Sequence, residues 1–268
     1  MDATEPALRR LATAIRLRAV AMVAPQGFGY LGQALSAAEQ YAAVYGAAYR
    51  PGTDRVVCSP GHYVIAAYAA AAETGLIDEA ALASYGQNGS SLEAIGTERS
   101  PVPEFTCGSL GQGLSAAAGF ALGDRLTGRD DVRTFAFISD GELQEGQVWE
   151  AAMFAGHHRL SRLTVLLDAN NSQVDGPVDS ITTIEPVAAK WQAFGWDAVD
   201  LDGHDVAAIA AALAAGTHRP RALICRTSTR HGLACLPPDA DGHFIKLPAD
   251  LAEAAAAELR AELAAGHD

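Results

Sequence analysis

Two apolar runs, Thr134-Phe135-Ala136-Phe137-Ile138 and Leu163-Thr164-Val165-Leu166-Leu167, each break off into a polar cluster. The first cluster is Ser139-Asp140-Gly141-Glu142-Leu143-Gln144-Glu145-Gly146, the second Asp168-Ala169-Asn170-Asn171-Ser172. Runs this short read as buried strands, and the stretch between them, with Trp149, Ala152, Met153 and Ala155, has helical spacing. A strand, a crossover helix and a second strand place both clusters at the carboxyl ends of neighbouring parallel strands. In an open parallel sheet that edge is where ligands bind.

The residue types on that edge suit one kind of ligand. The Asp140 carboxylate and the Asn170 amide oxygen are hard oxygen donors of the sort that Mg²⁺ or Ca²⁺ takes. Gly141 lets backbone approach an anion, and the following helix start offers unpaired N–H groups to a phosphate. Together they describe a metal-bridged diphosphate. An isolated Asp-Gly at a strand end is equally well a helix cap; the Asn170-Asn171 pair on the second strand end argues for the ligand.

These motifs, with Val174-Asp175-Gly176 downstream, resemble the thiamine diphosphate motif of transketolases, with Ser139 where that family usually has Gly. The resemblance implies Asp140, Asn170 and Ser172 as metal ligands, and Gly141, Glu142 and Asn170 as cofactor contacts. Cys107-Gly108-Ser109-Leu110-Gly111-Gln112-Gly113-Leu114 is close to the family's glycine-rich signature, which places the backbone of Gly108 and the side chain of Leu110 against the cofactor. A lone glycine pattern of this kind is weak, because glycines also serve tight turns and helix packing. Asp54 to His62 resembles the family's strand ending in Gly-His. His62 is then a cofactor or substrate contact able to donate to a phosphoryl or carbonyl oxygen, although a lone histidine is more often structural. Thr229-Arg230-His231-Gly232 followed by His243 resembles the family's turn and its Trp-His-Gly, with Gly242 and Phe244 departing from that pattern. His243 is taken as a diphosphate or substrate contact. Glu145 and Glu150 stand where the family has glutamates near its twofold axis, in a hydrogen-bonded path between active sites; buried acids there would need partners to offset desolvation.

Two departures fall on the substrate side. Gly27 to Glu39 is a glycine-rich loop feeding a helix, with Ser36 as the expected N-cap. Its Gly29-Tyr30 sits where transketolases carry Gly-His, so a phenol replaces an imidazole. Tyr30 either hydrogen-bonds a substrate oxygen or is a packed aromatic. Residues 84 to 105 read as a long loop; Gln87-Asn88-Gly89-Ser90 keeps the family's opening, but Glu93 to Thr97 lacks its histidine. The cofactor side is kept and the substrate side is altered.

The remaining pattern is α/β alternation: helices over 6 to 23, 63 to 73, 115 to 126, 186 to 194 and 206 to 215, strands over 198 to 201 and 221 to 227, and an alanine-rich helical tail over 248 to 265. It predicts an α/β fold, a doubly wound and mostly parallel sheet flanked by helices, in a single domain over 1 to 268. The 268 residues with 49% apolar content suffice for one substantial core. A net charge of −13 argues against nucleic acid or anionic membranes as partners. No apolar run approaches the roughly 18 residues of a membrane span, residues 1 to 6 lack signal-peptide character, and four scattered cysteines suggest neither zinc nor disulfides. The expectation is a cytoplasmic protein.

Transketolases add a pyrimidine-binding domain and a third domain, for which this sequence has no counterpart. The resemblance therefore implies the N-terminal subunit of a split enzyme in an α2β2 assembly with a C-terminal transketolase subunit. It would bind thiamine diphosphate with Mg²⁺ (or Ca²⁺) and transfer a two-carbon ketol unit from a ketose to an aldehyde. Two alternatives stand beside it: a transketolase-like carboligase moving another fragment, and a non-catalytic scaffold subunit.

Overall fold

The computed structural model describes residues 4–266. The chain opens with helix α1 (Glu5–Val23), whose buried Leu8, Ala12, Ile15, Ala19 and Val23 recur at the three-to-four-residue spacing of one helix face. A two-residue strand β1 (Phe28–Gly29) leads into α2 (Leu31–Ala43), which is buried along its whole length. β2 (Arg55–Pro60), α3 (Val64–Glu73), β3 (Phe105–Cys107), α4 (Gly113–Leu126), β4 (Thr134–Ser139), α5 (Gly146–His157) and β5 (Leu163–Ala169) follow. The later elements are the one-turn α6 (Val178–Ile181), α7 (Val187–Ala193), β6 (Asp197–Asp202), α8 (Val206–Ala214), β7 (Arg221–Arg226), β8 (Ile245–Lys246) and α9 (Ala249–Ala265).

Six strands form one sheet in the order β3-β2-β4-β5-β7-β6, and every pairing in it is parallel. Its central strands are buried on both faces, which is why they read as unbroken apolar runs instead of alternating ones. The alternation is there in the packing. Phe135, Phe137, Leu166, Leu223 and Cys225 face the core shared with α1, α2, α3, α8 and α9. Ala136, Ile138, Val165, Leu167, Ala222 and Ile224 face the core under α4, α5 and α7. The doubly wound expectation holds. The tail helix α9 lies against α1.

Two local expectations change. Ser36 is not the N-cap of α2; the helix starts five residues earlier, after Tyr30, and Ser36 lies fully buried in its second turn. Its hydroxyl donates to Asp168 instead (2.5 Å), so a residue type that favours caps is used here for a tertiary bond. The antiparallel ribbon of β1 and β8 was not expected, since two-residue strands leave no periodic signal.

A buried ion pair ties α1 to α2. Arg16 contacts both carboxylate oxygens of Glu39 at 2.6 and 2.7 Å, and His204 Nδ1 lies 3.2 Å from the same group. Burial by itself would raise the Glu39 carboxyl, but Arg16 with His204 holds it below its ordinary value. His204 Nε2 also accepts the Ser228 N–H, which anchors the segment after β7. Among the described residues no helix is long and apolar enough to cross a membrane.

Candidate active site

The chain winds from β2 outward to β3, returns to β4 on the other side, and then builds the rest of the sheet, so the winding direction reverses between β2 and β4. A crevice opens at the carboxyl ends of strands at such a point. A cavity of about 430 Å³ lies there, within the size range of small-molecule sites. His62 reaches it from the end of β2, Gly108 and Leu110 from the end of β3, Ser139 and Gly141 from β4, and Ser172 from the loop after β5. Tyr30, Glu145 and His243 complete it. A smaller hollow of about 200 Å³ lies at the opposite end of β4 and β5; three of its arginines donate within it, Arg125 to His158 O, Arg129 to Asp124 and Arg162 to Asp130 O.

The two polar clusters meet as expected. Ser139 pairs with Asp168 across β4 and β5, which brings Asp140 beside the segment carrying Asn170. Asp140 is 2% exposed and accepts from Gly141 N–H (2.9 Å) and Asn171 N–H (2.6 Å). Asn171 takes the left-handed conformation (φ 55°), which Asn tolerates better than most residues. Asn170 Nδ2 donates to Asp168 (2.7 Å) and to the Tyr63 hydroxyl (3.0 Å). Those bonds settle which amide atom is oxygen: Asn170 Oδ1 faces the opposite way, toward Ser172 N–H (2.9 Å), on the same loop that Asp140 contacts.

Charge balance fits a cation at this point. Asp140 is pushed up to about 7, first by burial and then by the neighbouring Asp168 carboxylate. Asp168 is itself raised by burial, although Ser36, Thr227, Tyr63 and Asn170 all donate to it. Neither acid has a Lys, Arg or His partner among the described residues, whereas the buried acids Glu39, Asp54 and Asp124 do; Glu142, the remaining buried acid, is likewise without a basic partner but has three donors of its own. A divalent ion held by the Asp140 carboxylate, the Asn170 amide oxygen and Ser172 would supply the missing positive charge in an all-oxygen setting.

The two cavity histidines are neutral donors. His62 is pushed down to about 3, by burial first and by His243 second. His243 is lowered by burial against an opposing influence from Asp241. Gln33 Nε2 donates to the His243 carbonyl (3.1 Å) and points its other hydrogen at His243 Nδ1 (3.3 Å). Nδ1 therefore accepts and the proton sits on Nε2. Gly32 holds this arrangement together: a Cβ there would lie 2.0 Å from the Gly242 carbonyl oxygen, so only glycine lets the His243 loop sit on the start of α2.

Glu142, expected as a cofactor contact, turns its side chain away from the cavity. It is 0% exposed and its carboxylate accepts from Ser59 Oγ (2.6 Å), Gly111 N–H (2.7 Å) and Ser139 N–H (3.2 Å). Those bonds fasten the glycine-rich turn to β2 and β4, so Glu142 is a positioning residue. Burial pushes it up to about 7, with its three donors opposing. Glu145 lines the cavity and is exposed; Glu150 is exposed on α5 and does not reach the cavity. Neither acid is buried within this chain, so the desolvation expected for them does not arise here.

Sequence reasoning missed Tyr63, Asp168, Gln33 and Ser36 as members of the site. Tyr63 follows His62 directly, Asp168 opens the second polar cluster, and Gln33 is one helical turn beyond Tyr30. Adjacency was the available signal. The fully buried network around Asp168 could not be read from it.

Comparison with known proteins agrees with this geometry. The family model described as "Transketolase, thiamine diphosphate binding domain" matches residues 8–265. A transketolase family protein of Sinorhizobium fredii, y4mO, is 40% identical over 256 residues, covering 90% of this chain and 91% of that protein. The 6-deoxy-6-sulfo-D-fructose transketolase subunit SqwG of a Clostridium species is 35% identical, covering 95% and 97%. Human transketolase is 31% identical over 96% of this chain, which spans only 42% of that protein. The crystal structure of Campylobacter jejuni transketolase superposes with a TM-score of 0.84 at 26% identity, over 94% of this chain and 42% of that one. The chain belongs to the transketolase family and corresponds to its thiamine diphosphate-binding domain.

Proposed function

We propose that this chain is the metal- and diphosphate-binding subunit of a two-component transketolase. It would transfer a two-carbon ketol unit from a ketose to an aldehyde or aldose, together with a separate pyrimidine-binding subunit in an α2β2 assembly. The observation that carries the reading is the uncompensated pair Asp140 and Asp168, set at adjacent strand ends beside an oxygen of Asn170 and a cavity with no lysine or arginine in its lining among the described residues. An anionic cofactor is held in such a place by a divalent ion and backbone N–H groups, not by basic side chains.

When bound, the cofactor supplies the electron sink for breaking and remaking a carbon–carbon bond beside a carbonyl. The chain's own contribution is orientation and hydrogen bonding. Asp140, Asn170 and Ser172 would hold the ion. Gly108, Leu110 and Gly141 offer close backbone and apolar contact. His62, neutral across the physiological range, and His243, with its proton on Nε2, can each donate to a phosphoryl or carbonyl oxygen without adding charge. Glu145, just before α5, and Glu150, on α5, are exposed, and a second polypeptide would bury them there.

Coverage of y4mO and SqwG along nearly their full lengths, against 42% of human transketolase, supports a two-component arrangement. Turnover of a ketose and an aldehyde should be absent from this chain alone and should appear when a pyrimidine-binding subunit is added. Substantial turnover by the isolated chain would contradict the reading. A carboligase that moves a different fragment is favoured by Tyr30 and by the histidine-free loop of residues 84 to 105, and a panel of donors separates the two.

A further inference from the structure

Beside the cofactor cavity lies a second hollow of about 430 Å³, lined by Gly27, Phe28, Phe244, Lys246 and Pro248. Phe28 is 49% exposed and Phe244 36%, yet their rings pack on each other with centroids 5.3 Å apart. The β1–β8 ribbon fixes them. Phe28 is paired with Lys246, and Phe244 lies two residues before Lys246 on the same face. From Phe244 the aromatic surface continues inward: Tyr30 meets Phe244 edge-on at 5.2 Å and lies 5.1 Å from His62 and 5.7 Å from His243. One wall of rings thus runs from the open hollow to the histidines of the cavity.

The composition of that wall bears on what it can recognise. At two of its positions the family pattern has a glycine and an imidazole; this chain has Phe244 and Tyr30. Apolar area has been added at Phe244, and at Tyr30 an imidazole gives way to a larger ring that packs on its neighbours and keeps a single hydroxyl. Hydroxyl groups of a sugar chain laid along the Phe28 and Phe244 rings would lose water and find few partners, since Lys246 is the one charged side chain lining the hollow among the described residues. The cavity lining holds no Lys or Arg among the described residues, and the hollow holds only Lys246. The transferred ketol unit carries its own hydroxyl whatever the reaction, so the freedom in this chemistry lies in the aldehyde.

We propose that Phe28, Phe244 and Tyr30 form an acceptor subsite that selects an aldehyde with an apolar, aromatic or alkyl body over a polyhydroxylated one. The inference rests on the transketolase-type reading above. The step is a group transfer: the donor's C–C bond beside its carbonyl carbon breaks, the electron pair stays with the ketol unit and the remainder leaves as an aldehyde (as CO2 from hydroxypyruvate), and the ketol carbonyl carbon then bonds to the acceptor aldehyde carbon, whose oxygen takes a proton and becomes a hydroxyl. No oxidant or reductant is needed.

The test uses this chain reconstituted with its pyrimidine-binding subunit, thiamine diphosphate and Mg²⁺, with hydroxypyruvate as donor of the ketol unit. The kcat/KM for benzaldehyde is compared with that for glycolaldehyde, in the native pair and in the Phe244→Gly and Phe28→Ser variants. The native pair should favour benzaldehyde, and each variant should lower that ratio at least tenfold, the scale of losing apolar contact with a few carbons. A ratio that stays within twofold in both variants, with cofactor binding retained, overturns the proposal. It is equally overturned if the variants leave the ratio alone but loosen the association of the two subunits in analytical ultracentrifugation, since the wall is then covered by the partner. Absence of cofactor binding or turnover in the native pair counts against the parent reading, and the subsite is then read directly by saturation-transfer NMR. Transfer from the chain to benzyl alcohol that is lost in both variants supports the wall as an apolar-ligand subsite, and absence of transfer in the native chain refutes it.

Discussion

Replacing Asp140 by Asn should make the chain more stable without metal and insensitive to metal. Asp140 is raised from 3.8 to about 7 by burial and by Asp168. At about 1.4 kcal/mol per pH unit, the shift of roughly 3 units corresponds to about 4 kcal/mol. A folded-state value above the unfolded one means the folded chain keeps a proton that the unfolded chain has released. Stability contributed by the neutral form is present below the unfolded value and is lost as pH rises from about 4 through about 7. Above that window the metal-free chain carries the full cost of a buried, unpaired carboxylate. Asn removes the charge but turns an NH2 toward one of the two backbone donors, which takes back about 1–3 kcal/mol. The net expectation at pH 8 without metal is a variant about 1–3 kcal/mol more stable than the native chain, read as a melting point higher by roughly 2–4 °C per kcal/mol for a chain of this size. At pH 5 the advantage should shrink or reverse. Glu142, also near 7, contributes a slope of the same sign in both proteins and cancels in the comparison. Mg²⁺ with thiamine diphosphate at pH 8 should raise the native melting point through preferential binding to the folded state and leave the variant unmoved. A variant that still responds to Mg²⁺, or a difference from the native chain that does not change between pH 5 and 8, refutes the reasoning.

Other perturbations have outcomes set by the same geometry. Gly32→Ala puts a Cβ 2.0 Å from the Gly242 carbonyl oxygen, and should cost about 1–3 kcal/mol in urea unfolding and weaken cofactor binding by displacing His243. Arg16→Met leaves Glu39 buried without its main partner and should cost about 3–5 kcal/mol, most of it recovered in the double variant with Glu39→Gln. Glu142→Gln presents an NH2 to backbone donors and should lower cofactor affinity in calorimetry, although Glu142 does not line the cavity. His62→Ala should cut turnover of the reconstituted pair about 10²-fold or more with little change in melting temperature, a split that distinguishes a hydrogen-bond donor to the reacting groups from a packing residue.

The architecture was largely legible because its strands announce themselves. Apolar runs such as 134 to 138 and 163 to 167 are too short for helices and end in polar clusters, and the intervening helical spacing dictates parallel crossovers. The strand-end loops were legible for the same reason: His62, Gly108, Leu110 and His243 line one cavity, and Asp140 accepts from the loop that carries Asn170. What escaped was direction and depth. Glu142 stands two residues after Asp140, but one-dimensional order does not say that its carboxylate turns inward to Ser59 and Gly111. Ser36 has the chemistry of a cap and is used in mid-helix because Asp168 is within reach there. The β1–β8 ribbon, with two residues per strand, has no periodicity to detect, and it places Phe28 and Phe244 side by side from positions more than two hundred residues apart.

The claim on which the account depends is that the loops after β4 and β5 grip a divalent ion and, through it, a diphosphate. A crystal structure of the chain with thiamine diphosphate and Mn²⁺, with and without the pyrimidine-binding subunit, tests it through the anomalous signal of the metal. The account predicts a single strong peak coordinated by Asp140, Asn170 and the Ser172 segment and by oxygens of the diphosphate. A bound cofactor with no metal between those loops, or a metal seated elsewhere in the chain, would contradict it.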